Sequence, residues 1–245
     1  DPAPEGLVWK PFEVPKLSFL SNSNPQQPMK YQVPAESSEC HNLYTMLVKL
    51  CSRYLQSEKG KKLIDLGKGH NIPSSSTNCN ELISSAWTHH MSSDDIFSSR
   101  LLEHIFWGDW RDLPTGGTGH TVHPVFWAGW SKRRGTYKLM EEMVRDIPTA
   151  RDVGHPDTQL GQLMRSLKWA RPCHDTKEDE GFWITASELF AFFINIHDIS
   201  LWPSPQILLN YPAATLPETF LFKYELDIIS SAATIAQDNI ISYWI

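Results

Sequence analysis

A mainly α-helical fold, with about seven helices behind an extended proline-rich arm, is predicted by three observations. Apolar residues recur at three- and four-residue spacing in one segment after another, the period of a helix with one buried face. Seven prolines crowd residues 1–37 and exclude regular helix there. Hydrophobic residues make up 41% of the 245-residue chain and charged residues 20%, a balance that favours a packed core over disorder.

The elements follow in order. Residues 1–37 carry Val8, Trp9, Phe12, Val14, Leu17, Phe19 and Leu20 among their prolines, too much apolar surface for a free linker. This segment reads as an arm lying across a surface of its own domain or of a second copy. Residues 38–245 read as a single helical domain. Leu43, Leu47, Leu50 and Tyr54 mark a first helix over about 38–58, with Gly60 as its stop. Residues 67–77 read as a loop. Asn78 and Glu81 form a capping box for a helix carrying Leu82, Ile83, Ala86, Trp87 and His90 on one side. Ser92 and Asp95 open the next, with Phe97, Leu101 and Ile105. Residues 108–120 are turn-rich, and Thr121–Trp130 is apolar and partly extended. Further helices are predicted after Ser131, ending before Pro148, and over about 157–169. Thr185 and Glu188 read as the clearest capping box, and Pro203 and Pro205 end the helix behind it. Thr215 and Pro217 open a last long helix whose apolar side runs through Phe220, Leu221, Tyr224, Ile228, Ala232, Ile235 and Ile241. Strand at 122–127 or 181–185 is the main alternative to this all-helical reading.

The bulk numbers exclude several function classes. A net charge of −6 disfavours bulk attraction to nucleic acid or anionic lipid. No apolar run is long enough to span a membrane, and no signal-peptide pattern is present. The four cysteines form no Cys-x-x-Cys pair, and Cys40 and Cys51 lie about 16 Å apart along one predicted helix, too far to bridge. Free buried thiols and a cytoplasmic location are therefore expected.

The candidate chemistry centres on residues 104–134. Ten histidines and ten tryptophans exceed ordinary usage, and Trp107, Trp110, Trp127 and Trp130 bracket a glycine-rich segment containing His120 and His123. Two imidazoles three residues apart converge on one divalent transition metal if the backbone turns between them, and glycines permit that turn. Asp109 and Asp112 are nearby orienting partners. His90 and His197 lie on apolar helix stripes and point inward. Lys132, Arg133 and Arg134 form the clearest basic cluster, read as a solvated face. Two functions follow. One is a helical enzyme with an aromatic-walled pocket for a small organic substrate, using His120, His123 and His197 with Asp112 as metal ligands or general acid and base. In that reading Trp107, Trp110, Trp127 and Trp130 bind the substrate. The other is a non-catalytic scaffold or assembly protein that docks on a protein partner, or self-associates, through residues 1–37 and its tryptophans.

Replacing His120 and His123 together by Ala is expected to leave the fold intact, checked by circular dichroism. Loss of the folded signal would identify the pair as structural.

Overall fold

The computed structural model describes residues 31–38, 40–67, 78–89, 96–107, 123–127, 150–166, 179–196, 207–211, 215–230 and 240–244. The fold is mainly α. Among the described residues the α-helices are α1 (His41–Gln56), α2 (Glu58–Gly67), α3 (Cys79–Thr88), α4 (Ile96–Trp107), α5 (Gln159–Ser166), α6 (Glu180–Ile196) and α7 (Leu226–Ser230). A π-helical turn, Leu221–Glu225, leads into α7. The described residues also include four short strands: β1 (His123–Phe126), β2 (Ala150–Arg151), β3 (Ile207–Tyr211) and β4 (Ile240–Trp244). No helix among the described residues is long and apolar enough to cross a membrane. The chain divides into two compact units.

The helical unit holds α1 to α5 and the first turns of α6, through residue 186. α1 buries Leu43, Leu47 and Cys51 at four-residue spacing and packs on α2, α3 and α4. Helix α1 stops at Ser57 rather than running on to Gly60. The Ser57 hydroxyl accepts from the Gly60 N–H at 3.1 Å and so caps α2, which places Gly60 inside a helix. A Cβ at Gly60 would strike the Tyr54 carbonyl, so only glycine lets α2 turn this closely on α1. α3 starts where its capping residue predicts: the Asn78 side chain accepts from the Asn80 and Glu81 N–H groups at 3.1 and 3.3 Å. It ends at Thr88 because His89 adopts a left-handed conformation (φ 54°), so the helix does not extend to His90 as expected.

The centre of this unit is aromatic. Trp87 stacks on Phe182 at 5.2 Å, Phe106 meets Phe182 edge-on at 5.9 Å, and Tyr44 meets Trp87 edge-on at 5.8 Å. Burying a ring the size of Phe182 contributes about 2–3 kcal/mol. Each well-placed ring pair adds about 0.5–1.5 kcal/mol. The stack requires close backbone approach at Gly181, where a Cβ would lie 2.5 Å from the Trp87 carbonyl oxygen and 2.7 Å from Tyr31 Cγ. Tyr31, from the end of the proline-rich segment, is thereby buried.

Two expectations are corrected in this unit. α6 begins at Glu180, five residues before the proposed Thr185–Glu188 capping box. Asp179 supplies the start instead: its carboxylate accepts from the Trp183 indole N–H at 2.7 Å, and its carbonyl accepts from the Trp183 amide. Thr185 is left fully buried inside the helix. The cysteines are also not free thiols. Cys51 of α1 is joined to Cys79 of α3 with Cα atoms 5.8 Å apart, and Cys40 is disulfide-bonded as well. Cys51 is therefore not bridged to Cys40. Side-by-side packing of α1 and α3 supplied a different partner, which helix spacing alone cannot reveal. A closed loop with a separation of 28 residues restricts the unfolded chain by about 3–4 kcal/mol.

The second unit contains the sheet and α6 from residue 187 onward. Among the described residues the strand pairs are parallel, in the order β2-β1-β3-β4. β1 falls within the extended segment foreseen around Val122–Trp127, whereas the 181–185 alternative is helix. The predicted last helix is cut short: Ile241 lies in β4, paired with Leu208 of β3. Ile240-Ile241-Ser242-Tyr243-Trp244 is rich in β-branched and aromatic residues, and a parallel neighbour decides its state. Val125, Phe126 and Leu209 are buried, as a covered parallel sheet requires.

Replacing Gly181 by Ala is expected to destabilise the protein by about 1–3 kcal/mol through overpacking against Trp87 and Tyr31. Chemical denaturation measures the loss, and an unchanged midpoint would show that α6 shifts freely.

Candidate functional site

The sheet defines where chemistry-bearing residues gather. From β1 the chain passes to β2 on one side, then returns beyond β1 to β3 on the other, with β4 outside β3. Strand order therefore reverses between β1 and β3. In open parallel sheets the crevice at the carboxyl ends of the strands, beside such a reversal, is where ligands bind. β1 ends at Phe126, so Trp127 emerges at this edge, and β2 ends at Arg151, so Asp152 emerges beside it. The two side chains meet there. The Trp127 indole N–H donates to Asp152 Oδ2 at 3.1 Å, and both residues are half-buried.

The turn after β2 extends the cluster. The His155 amide donates to the Asp152 carbonyl at 3.3 Å, which folds residues 152–155 back and buries His155 at 7% exposure. Asp at the first position and glycine at the third suit such a turn. Arg151 is buried, and its Nη1 donates to the Ala150 carbonyl at 2.9 Å. An aromatic ring and a carboxylate thus meet at the sheet edge, with Arg151 and His155 within three residues of Asp152 along the chain.

A second polar group is buried in the same unit. Glu225, at the end of the π turn, is 5% exposed and hydrogen-bonded to Ser187 of α6. Burial pushes its carboxyl up to about 8, against the opposing effect of the Ser187 hydrogen bond, so it is protonated at neutral pH. The π turn sets its direction: the Leu226 amide bonds to the Leu221 carbonyl, five residues back, and such turns re-aim the side chains they carry. Ser187 stands one helical turn before Phe190, whose ring packs 5.0 Å from that of Phe126, the last residue of β1. The protonated carboxyl is therefore within about one turn of the packing that supports the carboxyl end of β1. A neutral buried carboxyl is able to donate a proton or a hydrogen bond, as a surface carboxylate at pH 7 is not.

Trp107 is 1% exposed in the helical unit and meets Phe106 edge-on at 5.6 Å, a core position. Trp127 lies at the sheet edge. The backbone of His123 opens β1, four residues and about 13 Å along the strand from Trp127. His90, Asp109, Trp110, Asp112, His120, Trp130, the 132–134 basic cluster and His197 lie outside the described residues. Among the described residues no three His, Cys, Asp or Glu side chains are grouped to hold a metal ion. Sequence reasoning passed over Asp152, Ser187 and Glu225. Glu225 had a readable signal, because it falls between Leu221 and Ile228 on one apolar stripe, where a carboxyl is out of place. Asp152 had none, since β2 is two residues long. No protein family, curated protein or solved structure matches the chain.

The buried carboxyl carries a pH signature. The folded state holds the Glu225 proton up to about pH 8, while the unfolded chain releases it near its ordinary value of 4.5. The folded state thus binds more protons within that window, and stability falls as pH rises through it. Below the window Glu225 contributes no pH dependence. Glu225→Gln is expected to flatten the fall in thermal midpoint between pH 5 and pH 8. An equally steep fall in the variant would place the titration elsewhere.

Proposed function

We propose that the protein is an enzyme acting on a small organic substrate, held at the carboxyl edge of its parallel sheet against the Trp127 ring. The observation that carries this reading is the Trp127–Asp152 hydrogen bond, which fixes an aromatic wall and a carboxylate beside the reversal of strand order. A rigid ring with its N–H already engaged offers an apolar face for a planar or sugar-like group. The carboxylate beside it accepts hydrogen bonds from a polar ligand. In this reading the acid–base groups are His155 and Glu225, the second held protonated by burial. Support for a ligand at this edge comes from the general behaviour of parallel sheets, and support for chemistry comes from the side chains placed there.

A metal-assisted version assigns His120 and His123 as ligands of a divalent transition metal, with Asp112 orienting them and His197 completing the acid–base set. It is separable from the acid–base version by elemental analysis of the purified protein: substoichiometric metal removes it and leaves the sheet-edge site standing.

A thermal-shift screen of nucleotides, sugars and small organic acids tests the site. A ligand at 100 times its Kd raises stability by about 2.7 kcal/mol, enough for a clear shift. Trp127→Ala and Asp152→Asn are each expected to weaken such a ligand at least about tenfold, a loss of about 1.4 kcal/mol. A ligand held equally well by both variants would locate the binding site elsewhere.

A further inference from the structure

The two described partners of the Cys51–Cys79 bridge share one property: both sulfurs belong to residues removed from solvent. Cys51 is fully buried and Cys79 is 9% exposed. Cys51 lies on the inner face of α1, in line with Leu43 and Leu47, and Cys79 lies in the first turn of α3, beside the capping residue Asn78. Thiol–disulfide exchange requires a thiolate to reach a sulfur atom directly. Once α1 and α3 have packed, that route is closed to oxidants and reductants alike. Cys40, the residue before α1, is also bonded and 1% exposed, so one disulfide sulfur precedes α1 and a second lies within it. Covalent ties of this kind persist in oxidising compartments, whereas a reducing cytosol keeps thiols free.

We infer that this chain acquires its disulfides during folding, from a thiol–disulfide oxidant in an oxidising compartment, and that its native state is closed to later reduction at Cys51–Cys79. The step balances by exchange. The Cys51 thiolate attacks one sulfur of the oxidant's disulfide, forming a mixed disulfide and releasing the oxidant's second sulfur as a thiolate. The Cys79 thiolate then attacks Cys51 Sγ and displaces the oxidant's remaining sulfur. Two electrons pass to the oxidant, which leaves as a dithiol carrying the two protons that the cysteines gave up. The oxidant must act while α1 and α3 are still separable, because the finished core leaves it no access.

Maleimide labelling followed by mass spectrometry tests this on the full chain. Protein exported by a host into an oxidising compartment, denatured without reductant, is expected to take up no label at Cys40, Cys51 or Cys79, and to take up label at all three after reduction. The same chain retained in a reducing cytosol is expected to expose free thiols on denaturation and to melt at a lower temperature. In the exported protein, adding reductant without denaturant is expected to leave Cys51 and Cys79 unlabelled, and adding both to label them. Label on Cys51 or Cys79 of the exported, unreduced protein overturns the bridge. Equal absence of thiols from the cytosolic and exported proteins overturns the compartment. Reduction of the native protein as fast as of the denatured one overturns the closed native state.

Discussion

The helical unit depends on one close approach, that of α6 to α3 at Gly181. With no Cβ at that position, the backbone of α6 comes against the Trp87 carbonyl and the Tyr31 ring. This brings Phe182 into a near-parallel stack on Trp87. Phe106 and Tyr44 then close on the pair from α4 and α1. Protein interiors pack as densely as organic crystals, so a single added methyl here must displace backbone or a large ring. In the same unit α1 and α3 pack side by side, the condition for joining Cys51 to Cys79.

The sheet unit is governed by a different constraint. Parallel strands bond evenly and need cover on their faces, so the short β1 is buried at Val125 and Phe126, with Phe190 of α6 against it. Polar groups then have two places in this unit. Trp127 and Asp152 emerge half-buried at the strand ends, hydrogen-bonded to each other. Glu225 and Ser187 are held among apolar neighbours, where loss of water keeps the carboxyl neutral.

How much of this was legible depends on the range of the interaction. The helical character, the start of α3 at Asn78 and the extended segment at β1 follow from neighbours a few residues apart. The Thr185–Glu188 capping pattern met the same local rule and still failed, because α6 is buried over most of its length and Asp179 anchors it earlier through Trp183. Gly60 looked like a stop and is a contact. Of the tryptophans proposed as substrate walls, Trp107 is packed in the core and Trp127 stands at the sheet edge, a difference that composition does not show.

Residue order alone determined that this is a mainly helical chain with an aromatic interior, because helical period and side-chain volume are local properties. Only the tertiary structure decided that Ile240–Trp244 is strand, that Cys51 faces Cys79, that Asp152 meets Trp127 and that Glu225 keeps its proton. The first three depend on partners 25 or more residues away in sequence, and the last on burial by the folded chain, so none of these energies exists before the tertiary structure is in place.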